Sequence, residues 1–315
     1  MKTLFYLLLF CTFFFGCKTP DDQPSIASQE GMLQVKGGKI WYRVRGGKGI
    51  PVLMLHGGPG FTSYYLTPLA DSIAKERPVI VFDQLGCGRS DKITDTSLMT
   101  MQYHIEQVVA LLQHLKTGTY DLYSHSFGTM LAMDLYLQHP ENIRSLIFAS
   151  PCMRTKTWVE DANILMQGLP DSTRQILQAF ARGVKQDADK FAPAIAQYYR
   201  HFYNRKQPQS PYVDSSQAYQ AFNVYQHMWG PEEFVATGSL KNYDRTADLS
   251  KLKIPVLFTA GEYDAARPSS VLSYQSRVPV ATFVEIKGAG HSTMTDNIDA
   301  ELKAIREFWK NLRIQ

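Results

Sequence analysis

A serine, an aspartate and a histidine, each close behind an apolar run, have the residue types of a nucleophilic hydrolase. Ser126 follows the run YDLY, Asp264 follows VLFT, and His291 follows FVEI. A serine hydroxyl becomes a good nucleophile when a base removes its proton, and histidine does so near neutral pH if a carboxylate fixes its tautomer. We therefore predict Ser126 as nucleophile, His291 as base and Asp264 as the orienting acid. The rival acids are Glu262, Asp244 and Asp248.

The stretch SHSFG around Ser126 predicts a tight turn from a strand into a helix. Such a turn exposes the hydroxyl and aims the helix N terminus at the oxygen on which negative charge develops. We expect the N–H of Phe127 to be one donor to this oxyanion. The second should be the N–H of Gly58 in the loop HGGPG, because glycine lets the backbone approach a substrate closely. Ser124 stands where such corners usually have glycine, and Ser124 and Gly128 are small enough to relieve crowding between strand and helix.

Short apolar runs alternate with helical periodicity along most of the chain. The runs cover residues 40–44, 52–55, 79–82, 122–123, 145–149, 256–259 and 283–286. Helical patterns cover residues 105–115, 127–138 and 298–312. Short buried runs separated by helices predict an α/β fold with a parallel sheet covered on both faces. Because ligands bind at the carboxyl ends of parallel strands, the three candidate residues should meet at one edge of this sheet.

The alternation stops between residues 151 and 240. That segment has helical stretches rich in aromatic residues and no run typical of a strand. We predict a helical cap over residues 151–240, inserted into a core formed by residues 31–150 and 241–315. Aromatic residues of the cap either line an apolar substrate pocket or form the core of the cap. Tyr225 and Trp229 are the members that we assign to substrate binding.

The N-terminal segment differs from the rest. Lys2 precedes an almost wholly apolar run over residues 4–15, which is too short to span a bilayer comfortably and is typical of a signal peptide. Gly16 before Cys17 resembles a bacterial lipoprotein signal. We predict a signal peptide over residues 1–16, lipidation of Cys17, and a polar tether over residues 17–30. The protein would then be exported and anchored in a membrane on the periplasmic or outer-membrane side of a bacterium. The alternative is a plain secretory signal with an incidental cysteine.

The composition excludes several classes of protein. A hydrophobic content of 44% with 20% charged residues is typical of a globular protein, and a net charge of +4 without a Lys/Arg run does not favour nucleic acid binding. Cys87 and Cys152 are the cysteines left for the folded part, and we predict that both are buried thiols rather than a disulfide framework. Neither HExxH nor a Cys/His cluster at zinc spacing occurs, so we expect no metal.

Six motifs in order resemble the proline iminopeptidase family of α/β-hydrolases over about residues 35–312. They are HGGPG, DQLGCGRS, SHSFG, GPEEF, GEYDAARP and GAGHS. The resemblance implies an eight-stranded, mostly parallel hydrolase sheet with a helical cap, and the chain order Ser, Asp, His of that fold. It also implies a serine hydrolase, without a cofactor, that releases an N-terminal residue, often proline, from short peptides or amino-acid amides.

Members of this family hold the free α-amino group of the substrate with carboxylates at the cap, because a buried ammonium needs opposite charge nearby. Glu233 in GPEEF matches one family glutamate. The second usually follows the catalytic aspartate, where this chain has Ala265. Glu233 is equally well explained as part of the first turn of a helix, where acidic residues suit the helix dipole. The missing carboxylate motivates one alternative, an esterase or other small-molecule hydrolase without amine recognition. A binding lipoprotein that kept the fold and lost catalysis is a second alternative, disfavoured because every triad position is filled.

Overall fold

The computed structural model describes residues 25–312. The predicted signal peptide, Cys17 and the first part of the tether lie outside the described residues. Ten strands are present in this part of the chain: β1 Ser25–Ile26, β2 Gln29–Val35, β3 Gly38–Arg45, β4 Gly47–Lys48, β5 Val52–Leu55, β6 Val79–Phe82, β7 Tyr120–His125, β8 Ile143–Ala149, β9 Val256–Gly261 and β10 Ala281–Ile286.

Eight strands form one sheet in the order β10-β9-β8-β7-β5-β6-β3-β2. Strands β5 to β10 are parallel, whereas β3 is antiparallel to both of its neighbours, β6 and β2. This sheet confirms the predicted α/β fold. The chain order reverses next to β5, with β6 on one side and β7 on the other, and such a reversal opens a crevice at the carboxyl ends of the strands.

The prediction of a tether is wrong at its C-terminal end. Ser25–Ile26 pairs with Gly47–Lys48, and β2 already begins at Gln29. The sequence pattern does not indicate β2 because it is a half-exposed edge strand in which Leu33 and Val35 are the partly buried apolar residues that pack against the core.

Helices cover both faces of the sheet, and a separate group lies between β8 and β9. In the described part of the chain the helices are α1 Thr67–Ile73, α2 Met101–His114, α3 Phe127–Gln138, α4 Thr155–Met166, α5 Asp171–Ala181, α6 Ala188–Phe202, α7 Pro211–Ala218, α8 Phe222–Met228, α9 Pro268–Gln275, α10 Thr293–Asp296 and α11 Ile298–Asn311. The core has two parts: α2, α3 and α9 pack on one face, and α1 and α11 pack on the other. None of the helices within residues 25–312 has the length and apolar character needed to cross a membrane.

Five helices, α4 to α8, follow β8 in the segment predicted to form a cap. They are tied to the loops at the carboxyl ends of the strands. The Ser216 hydroxyl of α7 accepts hydrogen bonds from the Thr62 hydroxyl and the Tyr65 N–H, and the Ala221 N–H donates to the carbonyl of Gly60 at 2.7 Å. These contacts hold α7 and the start of α8 over the edge of the sheet where the candidate catalytic residues lie.

Candidate active site

Ser126 occupies the corner between β7 and α3, as the motif predicts. Its backbone has φ 54° and ψ −124°, in a region that residues with a side chain rarely adopt. The corner is held from both sides, because the Ser126 N–H donates to the Ala149 carbonyl and the Thr129 N–H and hydroxyl donate to the Ser126 carbonyl. Strain that is maintained in this way is typical of functional positions.

The residues around the corner differ in how much side chain they tolerate. A Cβ on Gly128 would lie 2.5 Å from the Leu55 carbonyl oxygen, so this position requires glycine. The side chain of Ser124 is fully buried, and its hydroxyl donates to the Ile147 carbonyl at 2.8 Å. A serine therefore replaces the usual glycine at 124 because the neighbouring strand β8 supplies an acceptor.

Asp264 and His291 form a direct pair. His291 Nδ1 lies 2.8 Å from Asp264 Oδ1, and Asp264 is fully buried. The carboxylate also accepts hydrogen bonds from the Gly261 N–H and the Ala266 N–H, at 3.0 and 2.8 Å. With the Nδ1 proton directed at Asp264, the Nε2 atom of His291 carries the lone pair that a general base needs.

Ser126 and His291 line the same cavity. Within the described residues the Ser126 hydroxyl has no hydrogen bond to the His291 ring. Catalytic hydrogen bonds of unliganded enzymes often tighten when the substrate binds, so the arrangement fits a nucleophile and a base that engage in the complex.

Ser150 is a site residue that the sequence does not indicate. It follows β8 with φ 50°, and its Oγ lies 2.6 Å from Asp264 Oδ2 and 2.9 Å from the His291 carbonyl oxygen. One hydroxyl thus holds both the acid and the loop that carries the base. A lone serine after a strand gives no sequence signal of this role.

A chain of hydrogen bonds joins the HGGPG loop to the histidine loop. The Gly57 N–H donates to the Tyr65 hydroxyl at 2.8 Å, that hydroxyl lies 2.8 Å from His125 Nδ1, and His125 Nε2 lies 2.9 Å from the His291 carbonyl oxygen. Burial, together with the charge of His291, holds the pKa of His125 well below its usual value. A neutral His125 that accepts at Nδ1 and donates at Nε2 satisfies every link of this chain.

Residues of the motif DQLGCGRS hold the loop that follows HGGPG in place. Asp83 Oδ1 accepts hydrogen bonds from the N–H and hydroxyl of Ser63, and Oδ2 accepts from the N–H and Nε of Arg89. Burial alone would raise the pKa of the Asp83 carboxyl, but the hydrogen bonds and charge of Arg89 outweigh burial and hold the pKa below its usual value. Asp83 therefore stays ionised and fixes the loop that follows HGGPG.

The two expected oxyanion donors are placed at the cavity and at the helix start. The Gly57 N–H is committed to Tyr65, whereas Gly58 lines the cavity with φ 122°. Phe127 is the first residue of α3. Within residues 25–312 neither the Gly58 N–H nor the Phe127 N–H has a hydrogen-bond acceptor. Both groups are available to a substrate oxygen, and their role stays a prediction.

The cavity has a volume of about 370 Å³ and lies between the HGGPG loop and the five helices. Of the two aromatic residues assigned to substrate binding, Tyr225 lines the cavity and Trp229 does not. The Trp229 ring packs edge-on against Trp158, whose own ring packs edge-on against His291. Trp229 is buried behind the cavity wall, where its indole N–H donates to the Glu232 carbonyl at 3.2 Å.

Glu233 lines the cavity together with its neighbour Glu232. The segment from Pro231 forms a tight turn with a bridge between Glu232 and Val235, so the explanation of Glu233 as part of a first helical turn is wrong. Burial raises the pKa of Glu233, although the His291 charge lowers it, and burial raises the pKa of Glu232 to about 7. Ala265 is buried and outside the cavity wall.

The two remaining cysteines are buried and free, as predicted. Burial raises the pKa of Cys87 well above its usual value and raises that of Cys152 as well. Both thiols are therefore protonated at neutral pH, and neither lines the cavity.

Comparison with known proteins agrees with the fold. The family model described as the alpha/beta hydrolase fold matches residues 50–297, which makes the chain an α/β-hydrolase. The chain is 34% identical over 286 residues to a proline iminopeptidase of Heyndrickxia coagulans, covering 90% of this chain and 99% of that protein. It is 29% identical over 288 residues to a proline iminopeptidase of Saccharolobus solfataricus, covering 90% and 93%. The chain thus belongs to the proline iminopeptidase family.

Solved structures show the same fold. The crystal structure of VinJ superposes with a TM-score of 0.84 at 25% identity and covers 92% of this chain and 100% of that chain. The crystal structure of the proline iminopeptidase of Mycobacterium smegmatis superposes with a TM-score of 0.80 at 25% identity, covering 91% and 100%. The family predicted from the six motifs is confirmed.

Proposed function

We propose that the protein is a serine aminopeptidase that releases an N-terminal residue, proline or another apolar residue, from short peptides or amino-acid amides. The observation that carries this proposal is one cavity lined by the strained Ser126, the Asp264-bound His291 and the carboxylate of Glu233. The names of the full-length relatives support the same activity.

The geometry supports acyl-enzyme chemistry. His291 Nε2 takes the proton of Ser126 Oγ, which attacks the substrate carbonyl carbon, while Asp264 stabilises the imidazolium. The N–H groups of Gly58 and Phe127 bind the oxyanion, and one such donor is worth about a hundred- to a thousand-fold in rate. His291 then protonates the leaving amine as the C–N bond breaks. Water, activated by the same histidine, hydrolyses the ester on Ser126.

Glu233 supplies the recognition of the substrate amine in this proposal. Glu233 lines the same cavity as Ser126 and His291, so its carboxyl group lies near the reacting centre. An N-terminal residue whose ammonium contacts Glu233 would present its own carbonyl to Ser126. Internal peptide bonds carry no ammonium, so the site favours cleavage at the N terminus.

The test compares prolyl and alanyl p-nitroanilides with their N-acetyl derivatives, and uses a fluorophosphonate probe to label the nucleophile. We expect faster hydrolysis of the free-amine substrates, and labelling that is lost in Ser126→Ala. Faster turnover of the acetylated set would instead support the esterase alternative, which the alanine at position 265 favours. A wild-type protein that neither labels nor hydrolyses would exclude both.

We further propose that the chain is exported and anchored by lipid on Cys17. The support is the sequence alone: Lys2, the apolar run over residues 4–15 and the Gly16-Cys17 pair. Expression in a bacterium with radiolabelled palmitate should label the wild-type protein in the membrane fraction. Cys17→Ala should remove the label. Label that persists in Cys17→Ala would contradict the proposal.

A further inference from the structure

The wall of the cavity has two parts that come from different elements. Glu232, Glu233 and Tyr199 belong to the part formed by α6 and the GPEEF turn. The other part, the leaving-group wall, is formed by α7, the start of α8 and the segment after HGGPG, and its lining residues are Phe61, Val213, Gln217, Gln220 and Phe222. With the substrate amine at Glu233 and the carbonyl carbon at Ser126, the leaving-group wall is the part that remains for the departing amine.

The leaving-group wall is fixed next to the nucleophile by contacts of Tyr65. The Tyr65 N–H donates to the Ser216 hydroxyl of α7 at 3.0 Å, and the Tyr65 ring lies 5.4 Å from the Phe61 ring, centre to centre. The Tyr65 hydroxyl accepts a hydrogen bond from the Gly57 N–H at 2.8 Å. A Cβ on Gly57 would lie 3.0 Å from the Ser126 Cβ, so the loop that Tyr65 holds is in close contact with Ser126. A group that leaves the acyl-enzyme therefore meets a wall of defined position.

The leaving-group wall carries no lysine or arginine. The two stretches of chain that form it, residues 49–74 and 207–240, contain neither residue type. Within the described residues, the rest of the cavity lining contains neither as well. A carboxylate bound against this wall would lose hydration without gaining a cationic partner, and the glutamates of the GPEEF turn would repel it. The wall is therefore unfavourable for a leaving group with a free carboxylate.

Arg205 follows Asn204, which lines the cavity, but its charge is engaged elsewhere. The Arg205 guanidinium carbon lies 3.7 Å from the centre of the Tyr263 ring, and Arg205 Nη1 donates to the His201 carbonyl at 2.8 Å. A cation held over an aromatic face and by a carbonyl has contacts of its own that a substrate would have to replace. Arg205 therefore does not supply the missing positive charge.

Phe222 adds an apolar surface to the leaving-group wall. It is the first residue of α8 and lines the cavity, yet its side chain is 61% exposed. The hydrogen bond from the Ala221 N–H to the Gly60 carbonyl holds the residue before it against the HGGPG loop. Phe61 is a second, partly buried ring in the same wall. An apolar leaving group would cover the exposed surface of Phe222, and burial of apolar surface favours binding.

We propose that the leaving-group wall selects a neutral, apolar leaving amine, so that the preferred substrates are aminoacyl amides of apolar amines and free dipeptides are poor substrates. The inference rests on the proposed aminopeptidase function and narrows its substrate class. A dipeptide places its carboxylate on the residue directly after the scissile bond, and therefore against this wall. An amidated second residue has no such charge, and a longer peptide carries its terminal carboxylate farther from the scissile bond by up to about 3.5 Å per residue.

The first experiment compares two substrates of the full-length protein that differ in one charge. Alanyl-phenylalaninamide and alanyl-phenylalanine share the alanyl group and the benzyl side chain, but only the second has a free carboxylate. The readout is kcat/KM for the release of alanine, followed by chromatography. We expect the amide to exceed the free dipeptide by roughly 10- to 100-fold, because the carboxylate is desolvated without a partner. Equal values for the two substrates would overturn the inference.

The second experiment adds a positive charge to the leaving-group wall. Gln217 is an exposed residue of α7 that lines the cavity, and Gln226 is an exposed residue of α8 outside the lining. We expect Gln217→Lys to raise kcat/KM for the free dipeptide severalfold relative to the amide, because the ammonium of the lysine pairs with the carboxylate. Gln226→Lys is the matched control and should leave the ratio unchanged. The same gain in both variants, or a gain in neither, would show that charge at this wall does not set the preference.

Phe222→Ala tests the apolar contact. Alanyl-phenylalaninamide has a large leaving group, whereas alaninamide releases only ammonia, so a contact with Phe222 should matter more for the first substrate. We expect kcat/KM for alanyl-phenylalaninamide to fall roughly tenfold relative to alaninamide. Equal losses on both would show that Phe222 only supports α8, which contradicts the inference. The proposed function fails in a different way, since the wild-type enzyme would then hydrolyse acetylated anilides at least as fast as free ones.

Discussion

Ser126 has backbone dihedral angles that glycine adopts more easily than serine does. With φ 54° and ψ −124°, this residue carries strain of about 1–3 kcal/mol. Ser126→Ala keeps the strain, whereas Ser126→Gly relieves it at the cost of a more flexible unfolded chain. We expect both variants to lose hydrolysis and fluorophosphonate labelling. We also expect the glycine variant to be the more stable of the two by about 1 kcal/mol in urea unfolding. An alanine variant as stable as the glycine variant would mean that the corner stores no strain.

Glu301 is a fully buried carboxyl on α11 that the mechanism does not use. The Thr259 and Tyr123 hydroxyls donate to its Oε1 atom at 3.2 and 3.3 Å. Burial nevertheless raises its pKa to about 7, from an ordinary value of 4.5. Between these two pH values the folded protein keeps a proton that the unfolded chain releases. Stability is therefore lost as the pH rises towards and through about 7.

Glu301→Gln removes this titration. From pH 5 to pH 8 the free energy of unfolding of the variant should rise relative to wild type by up to about 3 kcal/mol, as the shift in pKa requires. Urea titrations at both pH values, with the exposed Glu141→Gln as control, measure the difference. A gap between variant and wild type that does not change with pH would show that Glu301 ionises normally.

The sequence predicts some site residues better than others for a physical reason. Ser126, Asp264 and His291 carry reactive groups in motifs that follow apolar runs, so their type and position are both visible. Ser150 and His125 act through hydrogen bonds that exist after the chain has folded, and neither shows a spacing that indicates them. The assignment of Trp229 to the substrate site is wrong because an aromatic residue in a helical segment gives no sign of which way its ring will turn.

At the scale of elements, the end of α6 is fastened to the loop that carries the base. Asp296 Oδ2 accepts hydrogen bonds from the N–H groups of Gly290 and Arg205, and its Oδ1 accepts from the Lys206 N–H. Next to these three hydrogen bonds of Asp296, the His291 N–H donates to the Phe202 carbonyl at 2.8 Å. The position of His291 therefore depends on the helices above it as well as on the sheet below.

Asp296→Ala would leave three N–H groups without their acceptor. We expect a loss of stability of about 1–3 kcal/mol and a fall in kcat of roughly tenfold, because His291 is held less well. Since every substrate uses His291, alanyl p-nitroanilide and p-nitrophenyl acetate should be affected alike. Asp299→Ala, which truncates an exposed carboxylate on α11, is the control. A selective loss on the anilide would show that Asp296 acts on amine recognition instead.

Some strands and helices are easier to predict from the sequence than others. The apolar runs predict β5 and β6 with their observed bounds because all of their residues are buried and apolar. The observed bounds of α3 also agree with the prediction, since Pro140 ends the helix shortly after the apolar stretch. No apolar run predicts β2, because an edge strand with one solvent-exposed face contains few apolar residues. The turn at Glu232 resembles a helix start because proline followed by acidic residues suits both structures.

In the molecule as a whole, the cavity exists because two bodies of structure meet over the carboxyl ends of the strands. The alternation of runs and helices predicts the sheet and the presence of extra helices after β8. It does not predict how those helices pack on the sheet. Their position depends on single contacts, such as the hydrogen bond from the Ala221 N–H to the Gly60 carbonyl. Such contacts join positions far apart in the sequence, and nothing in the local composition marks them.

Gly60 lies where the HGGPG loop packs closely against α8 and the residue before it. Its φ is 77°, and a Cβ there would lie 2.7 Å from the Ala221 carbonyl oxygen and 3.1 Å from the Val224 side chain. Gly183 is a matched control, since its φ is 81° and a Cβ there would meet no atom within 4 Å. Both alanine variants carry the backbone strain of about 1–2 kcal/mol per residue, and Gly60→Ala adds a clash that pushes α8 and Tyr225 away from the loop. We expect Gly60→Ala to lose more stability than Gly183→Ala in urea unfolding and, unlike the control, to raise KM for alanyl p-nitroanilide severalfold. Equal losses of stability with an unchanged KM would show that the helices are seated independently of the HGGPG loop.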